Sequence, residues 1–439
     1  MMEKNMTNLT IPDGAPELAR GPQWLKDKRK SAGESFNQTP YPTRGARNWR
    51  YTDPMRFMQE CNTPGTGAIS SDSDLVLKME ADHLKSGSIA ALVLDQEGRT
   101  INVHCSEALG KLGVIISPLS EAVEKHRQLV EQYLYQLVNQ QSGKFEAMNG
   151  ALWNDGIFIY VPHGKIVEQP IHLLRVAGGA GSSQLPRLLV VIGENAEATI
   201  IDEYSGGPSE AESGVTHSNG AVEIFGLANS KTRYLSLQRQ AAGVHSYFSH
   251  RARVENDAQM LTITLAFGAT LSKQNLGVIM NGRGAESTLY GLAFGTGRQQ
   301  FDNHTLHHHA SGQTKSNINF KVALGDKATS AYTGLIRIDR DAKVCEAYQE
   351  NRNLLLTSGT KAESIPELEI LNEEVSCTHG ATVGPIDPME LFYLNARGIS
   401  KTEATRMIVG GFVASTLKIV PDDLRERITA MVSQRLEAI

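Results

Sequence analysis

Residues 188–201, LLVVIGENAEATII, contain the pattern that decides the fold of this 439-residue chain. The five apolar, mostly branched residues from Leu188 to Ile192 have the length and composition of a β-strand. A polar turn, Glu194-Asn195, and a small alanine, Ala196, come next, and a second strand-like run begins at Thr199. The stretch therefore predicts two strands joined by a tight corner.

The same unit recurs along the chain. A polar turn, an alanine and an alternating run are repeated at Ala258, Ala285, Ala328 and Ala342, and further strand-like runs occupy residues 157–161, 222–225, 261–267, 289–294 and 335–338. No proline occurs between Pro208 and Pro366, as expected where strands are paired on both edges. In a solenoid, each strand pairs with the coil before it and the coil after it. We therefore expect a mainly β protein whose core is a right-handed parallel β-helix, with coils of about 20–30 residues.

Changes of composition on both sides of this region predict three domains. We expect a mixed, partly helical region over residues 1–150, the β-helix core over residues 151–385 and a C-terminal helical domain over residues 386–439. Within the first region, apolar residues from Ser117 to Gln141 recur at helical spacing, which predicts one helix that ends near Gly143.

The C-terminal region carries signals for three helices. Asp387 followed by Pro388 is an N-cap with proline at the first helical position, Ser400 begins a second capping box, and a third helical pattern follows Pro421. Three short helices are marginally stable by themselves. They must therefore dock on the β-region or on a partner.

Composition argues against several classes of protein. The formal net charge of −5 gives no basic surplus for nucleic acid or an anionic membrane surface. No apolar run approaches the roughly 20 residues of a membrane span, and the N-terminus lacks the apolar core of a secretory signal. The four scattered cysteines provide neither a disulfide framework nor a stable zinc or iron–sulfur ligand set. We expect a cytoplasmic protein that binds neither nucleic acid nor membrane.

Cys377 and His379 are the first candidate site. Positions i and i+2 of a strand share one face, so the two side chains would project side by side. A thiol beside an imidazole can hold a soft metal or a sulfur species. The spacing alone leaves open the alternative that Cys377 is a small buried apolar residue and His379 a hydrogen-bonded polar one.

A histidine tract, His304 with His307 to His309, is the second candidate site. Adjacent residues of a strand point to alternate faces, so these imidazoles cannot all reach one ion. A polar face or an adventitious metal site is therefore favoured over a built metal site. The chain also lacks the phosphate-binding pattern G-x-x-x-x-G-K-[ST], so we do not expect it to hydrolyse ATP.

Longer motifs resemble the SufB/SufD family of iron–sulfur cluster assembly proteins. They are YQENRNLLL (348–356), PELEI (366–370), VSCTHGATVG (375–384) and LFYLNARGI (391–399), with weaker similarity at 49–52 and 161–164. The resemblance extends over nearly the whole chain and is stronger to the SufD type of subunit than to the SufB type. It implies a β-helix flanked by helical regions, in agreement with the pattern of strands and helices.

The resemblance implies a non-enzymatic scaffold subunit of a SufBCD complex. The β-helix would pair with SufB, and the C-terminal helices would dock the ATPase SufC, whose ATP-driven closure shifts the SufB interface. His379 matches a family histidine implicated in cluster formation at that interface, and Cys377 is its neighbour. The residues expected to contact SufC are Leu391, Phe392, Tyr393, Arg397, Gly398 and Phe412.

The resemblance also implies which cofactors and assemblies to expect. The iron–sulfur cluster would be transient and shared with SufB, and the isolated chain would hold no tight cofactor and could form a homodimer. A reduced flavin, FAD, is associated with the family complex, but the chain shows no flavin motif. Two alternatives stay open: a SufB-type paralogue that carries the main cluster chemistry, and a stand-alone metal-binding β-helix enzyme that uses the histidine tract.

Overall fold

The computed structural model describes residues 9–57, 88–207 and 214–437. Its strands are β1 Ala91–Gln96, β2 Arg99–Cys105, β3 Ile115–Pro118, β4 Gly156–Val161, β5 Ile171–Ala177, β6 Ser183–Gln184, β7 Arg187–Ile192, β8 Glu197–Gly206, β9 Thr216–Gly226, β10 Lys231–Gln238, β11 Val244–Val254, β12 Gln259–Ala266, β13 Leu271–Met280, β14 Glu286–Gly295, β15 Gln300–His309, β16 Lys315–Leu324, β17 Thr329–Ile338, β18 Cys345–Leu355, β19 Lys361–Ile370 and β20 Val375–Pro385. Its α-helices are α1 Gln23–Gln38, α2 Glu107–Leu112, α3 Leu119–Lys125, α4 Arg127–Tyr133, α5 Lys144–Leu152, α6 Pro388–Asn395, α7 Lys401–Leu417 and α8 Asp422–Glu437. None of the helices in these ranges is long and apolar enough to cross a membrane.

The core is a β-solenoid of about eight turns, which confirms the predicted mainly β fold. Each coil contributes one strand to each of two sheets. Sheet A has the order β2-β1-β5-β8-β10-β12-β14-β16-β18-β20, and sheet B has the order β3-β4-β7-β9-β11-β13-β15-β17-β19. Lys231 pairs with Gln259, and Gln259 pairs with Glu286, so one coil takes about 28 residues.

The corners of the coils are built as the repeated turns predict. All five corner alanines are buried: Ala196, Ala258, Ala285, Ala328 and Ala342. The residue before the alanine often has a left-handed backbone, with φ of 55° at both Asn195 and Asp257. Asparagine and aspartate tolerate this conformation better than other non-glycine residues. The methyl group of alanine then fills the inside of the corner.

The single helix expected from Ser117 to Gln141 is wrong. The structure has β3, the two short helices α3 and α4, and an irregular segment after Tyr133. The carboxylate of Glu223 on β9 accepts backbone N–H groups from Tyr135, Leu137 and Val138 at 2.8–3.1 Å. A buried carboxylate that binds three backbone donors stabilises an irregular turn over a further helical turn, and periodicity alone does not reveal this contact.

The domain boundaries near residues 150 and 385 remain a prediction. Strands β1 to β3 precede residue 151 and belong to the same two sheets as the core strands. The segment from Arg47 to Phe57 lies across sheet B. Trp49 stacks on Tyr247 at 5.6 Å between ring centroids, and Thr52 Oγ1 donates to Asp302 Oδ2 at 2.5 Å.

The three predicted C-terminal helices are confirmed. Asp387 Oδ1 accepts the N–H of Met389 at 2.8 Å, and Ser400 Oγ accepts the N–H of Glu403 at 3.2 Å, so both caps form. Helices α7 and α8 share a hydrophobic cluster with the outer face of sheet A. Arg427 on α8 also donates to the buried Glu203 at 2.6 Å. Helix α6, in contrast, has no buried residue.

Candidate functional site

The two ends of the solenoid differ. At the first end, β2 runs antiparallel to β1, Thr100 Oγ1 donates to Gly156 O at 3.1 Å, and Leu109 of α2 packs into the interior cluster. The outermost strands at both ends, β2 and β3 or β19 and β20, have a partner on one side only, but at the last end no antiparallel strand ends the sheets within the residues that the structure describes. Apolar side chains are exposed there, including Val383 with 46% of its surface accessible. An unpaired strand edge with exposed apolar residues is a surface for binding another β-strand.

Cys377 and His379 both lie on this open end. Cys377 pairs with Ala347, and His379 pairs with Gln349, both of which face the interior of the solenoid. The two side chains therefore share one face. His379 is exposed and Cys377 is half-buried. The spacing of the two residues predicts this arrangement, because β20 is a regular strand through both positions.

The two side chains differ as ligands. Burial raises the pKa of the Cys377 thiol, so the thiol is protonated at neutral pH and is a weak ligand and nucleophile. The imidazole of His379 forms no hydrogen bond with any residue in the described ranges, so it is free to bind. In the part of the chain that the structure describes, no three His, Cys, Asp or Glu side chains are placed to hold a metal ion. The open end can therefore provide one or two ligands to a shared site.

Sequence reasoning did not identify the buried interior amides on the strand that pairs with β20. Gln349 is fully buried beneath His379, and the Gln349 Nε2 group donates to the carbonyl of Gly334 at 3.2 Å. Further along β18, Asn353 Nδ2 donates to Asn351 Oδ1 at 2.7 Å and to Thr382 O on β20 at 3.1 Å. The alternation of Gln349, Asn351 and Asn353 within YQENRN indicates a row of amides on one face of the strand, because every second side chain of a strand points to the same side.

The histidine tract divides between the two faces of β15, as the spacing predicts. His307 and His309 are buried in the interior, where His309 bonds to Thr314 and Ser316 and His307 bonds to Ser287. Burial lowers the pKa of His307 to about 3 and that of His309 to about 4. His308 points outward and its Nε2 lies 2.8 Å from Asp339. These imidazoles do not converge on one point.

A second exposed apolar surface surrounds α6. Phe392 and Tyr393 are 66% and 54% exposed, and they line a groove with Met407 of α7. The guanidinium of Arg397 lies 3.9 Å from the ring centroid of Tyr393.

Of the remaining members of the predicted SufC-binding set, Leu391 and Phe412 occupy less accessible positions and Gly398 is exposed. Leu391 is half-buried, Gly398 ends the α6 segment with a φ of 82°, and Phe412 lies against the solenoid. The carbonyl of Phe412 accepts a hydrogen bond from Lys321 Nζ at 2.6 Å. The structure therefore brings Phe392, Tyr393 and Arg397 together on an accessible surface.

Comparison with known proteins agrees with this architecture. A family model described as "SUF system FeS cluster assembly, SufBD core domain" matches residues 175–412, and one described as "SufBD protein N-terminal region" matches residues 19–173. The chain is 25% identical to an iron–sulfur cluster assembly SufBD family protein of Staphylococcus epidermidis, over 99% of this chain and 94% of the relative.

Two relatives from Bacillus subtilis have names that separate the two types of subunit. Identity is 26% with the iron–sulfur cluster assembly protein SufB, over 99% of this chain and 94% of the relative. It is 24% with the protein SufD, over 96% of each chain. These values do not distinguish SufB from SufD. Because the core-domain model alone spans more than half of the chain, the protein belongs to the SufBD family of iron–sulfur cluster assembly proteins.

Proposed function

We propose that this chain is a SufD-type scaffold subunit that helps to assemble iron–sulfur clusters at an interface with SufB. The observation that carries the proposal is the open end of the solenoid, where an exposed imidazole, His379, lies on an unpaired strand. A scaffold must release its cluster, so its ligands belong at a surface that another subunit completes. An exposed single histidine on a strand edge fits that requirement.

The cluster is the cargo of this site. His379 supplies one ligand, Cys377 is a second candidate, and SufB supplies the others across the interface. A site with few ligands from each subunit suits a labile cluster. SufB binds along β19 and β20, whose free backbone groups continue both sheets. In the isolated chain, a second copy occupies the same edges and forms a homodimer.

The second surface binds the ATPase SufC in the cytoplasm. The exposed aromatic residues of α6, Phe392 and Tyr393, form its centre, since aromatic anchors dominate the energy of protein interfaces. ATP hydrolysis takes place in SufC, and closure of two SufC subunits pulls on α6 and shifts the SufB interface. This chain is not itself an enzyme.

We propose no role for a flavin in this chain. The glycine-rich segment Gly178–Ser183 leads into β6 and not into a helix, so it lacks the helix N-terminus that binds a dinucleotide phosphate. We therefore assign no step to FAD in this chain.

A SufB-type subunit is the alternative. The motif CTHGATVG and the small number of cysteines favour the SufD type. Of the three cysteines in the described ranges, Cys105 is exposed but lies at the opposite end, Cys345 is buried, and Cys377 alone reaches the open end, where it is half-buried. A subunit that carried the main sulfur chemistry would need more accessible thiols.

Co-expression with SufB and SufC tests the assembly. We expect one complex that contains all three proteins, and we expect the double variant Phe392→Ala/Tyr393→Ala to lose SufC while it keeps SufB. The variant Ile166→Ala, which removes an exposed apolar side chain from a distant part of the solenoid, is the matched control. Mass photometry and gel analysis of the purified complex give the composition. Retention of SufC by the double variant would contradict the α6 docking site.

Iron and sulfide content tests the cluster site. We expect His379→Ala to lower the cluster content of the co-expressed complex several-fold without loss of SufB, and Cys377→Ala to have the smaller effect. His163→Ala, at an exposed histidine far from the open end, should have none. If His379→Ala retains a full complement of iron, the site lies elsewhere.

A further inference from the structure

A buried amide lies directly beneath the exposed imidazole of His379. Gln349 on β18 pairs in register with His379, and its own neighbours on the other side are Ile318 and then Leu289. Side chains at paired positions of adjacent strands stack about 4.8 Å apart. The two positions before Gln349 in this interior ladder are thus aliphatic, and at the last position before His379 an amide replaces the aliphatic side chain.

The orientation of this amide is determined by its one hydrogen bond. Gln349 Nε2 donates to the carbonyl of Gly334 on the opposite sheet at 3.2 Å. The reverse orientation would place two acceptors against each other, so Oε1 is the atom that faces away from Gly334. Gln349 is 0% exposed, and Oε1 has no hydrogen-bond partner among the described residues. A buried acceptor without a partner is unfavourable, so a donor is expected to reach it.

The side-chain amide of Gln349 occupies space that a glycine on the opposite sheet leaves open. A Cβ atom at Gly334 would collide with Gln349 Nε2 and with the hydroxyl of Tyr332, so the absence of a side chain at Gly334 makes the room. The Tyr332 hydroxyl is itself held by Thr305 Oγ1 at 2.8 Å. The amide is therefore held by its hydrogen bond to Gly334, in the space beside the Tyr332 hydroxyl.

We propose that Gln349 is a positioning residue for His379. Rotation of the imidazole toward the interior, when SufB covers the open end, brings one ring N–H to Gln349 Oε1. A neutral imidazole has one N–H donor and one nitrogen lone pair, and metal-binding histidines commonly donate the N–H to a carbonyl. The hydrogen bond selects the tautomer and directs the other nitrogen outward to iron. This inference rests on the proposed role of His379.

The test removes the Gln349 Oε1 acceptor and keeps a side chain of similar volume. Gln349→Leu lacks the carbonyl, Gln349→Glu retains an acceptor, and Asn303→Leu is the control, since Asn303 is another buried interior amide without partners but is not in register with His379. Nitrogen-15 NMR of labelled histidines in the SufB-containing complex reports the tautomer, with the His379 signal identified by its loss in His379→Gln. Iron binding to the same complexes is measured by titration with ferrous ion.

We expect Gln349→Leu to change the His379 tautomer population and to weaken iron binding about 10–100-fold, as loss of a hydrogen bond to a metal-binding histidine does. Gln349→Glu should restore both, and Asn303→Leu should alter neither. If Gln349→Leu does not fold, Gln349→Met provides the same loss of acceptor with a more adaptable side chain.

An unchanged tautomer population in Gln349→Leu overturns the proposal. A different result separates it from the proposed function: if Gln349→Leu changes the tautomer but His379→Gln keeps the full cluster content, the positioning contact is correct and the assignment of His379 to cluster assembly is wrong.

Discussion

At the scale of single residues, one buried ion pair joins the N-terminal region to the solenoid. Arg187 Nη2 donates to Glu223 Oε2 at 2.7 Å, and both side chains are fully buried. Arg187 also donates to the carbonyl of Val138 at 2.7 Å and lies 4.2 Å from the ring centroid of Tyr135. The pair thus replaces backbone hydrogen bonds that a helix would otherwise make in this segment.

We expect Glu223→Leu to lower the free energy of unfolding by about 3–5 kcal/mol, because it leaves the buried guanidinium of Arg187 unpaired and three backbone donors unsatisfied. The control is Glu121→Gln, which breaks the exposed pair with Lys125 and should cost less than about 1 kcal/mol. Urea unfolding followed by tryptophan fluorescence measures both. Equal stabilities of the two variants would show that Glu223 does not hold this segment.

At the scale of elements, the edge strands decide what the solenoid can bind. Interior strands have coils on both sides, whereas β19 and β20 present a free edge. Pro366, the proline that ends the proline-free stretch, lies in β19. A proline is tolerated there because an edge strand has ladder positions without an inner partner.

A lysine at the open end should prevent association through β19 and β20. We expect Val383→Lys to convert a homodimer of the isolated chain to monomer and to remove SufB from the co-expressed complex, because a charge on an edge opposes strand pairing. Ile166→Lys, at an exposed apolar residue elsewhere, should leave both assemblies intact. Light scattering of the purified proteins measures the mass. A dimeric Val383→Lys chain would show that association uses another surface.

At the scale of the whole molecule, the interior of the solenoid keeps histidines neutral. Burial, and then the nearby charge of Arg251, lowers the pKa of His250 to about 3, and burial lowers that of His307 equally far. Their ordinary value is 6.5, so below that pH the unfolded chain takes up protons that the folded chain cannot. Asp95, whose pKa burial raises to about 6, opposes this effect in part.

Stability should therefore fall as the pH is lowered from 7 to 5. Each buried neutral histidine contributes about 1.4 kcal/mol of lost stability per pH unit below its unfolded pKa. We expect His250→Leu to flatten the pH dependence, and His163→Gln, at an exposed position, to leave it unchanged. Melting temperatures at pH 7, 6 and 5 test this. A His250→Leu curve parallel to that of the parent chain would mean that folding does not lower the pKa of His250.

Much of the architecture can be derived from local pattern. Alternating strands, the alanine corners and the caps at Asp387 and Ser400 all depend on neighbours in the sequence, so they predict the solenoid and the three C-terminal helices correctly. The shared face of Cys377 and His379 is also a local property of a strand. These features needed no knowledge of distant contacts.

Tertiary contacts decided the rest. The break after Tyr133 depends on Glu223, almost ninety residues further along the chain, and the environment of His379 depends on Gln349 and Gly334 from other strands. Which end of the solenoid is open depends on the elements that cover the opposite end. Burial, strand pairing across coils and the hydrogen-bond partners of buried polar atoms depend on contacts between segments that are distant in the sequence. Local sequence patterns do not reveal these contacts.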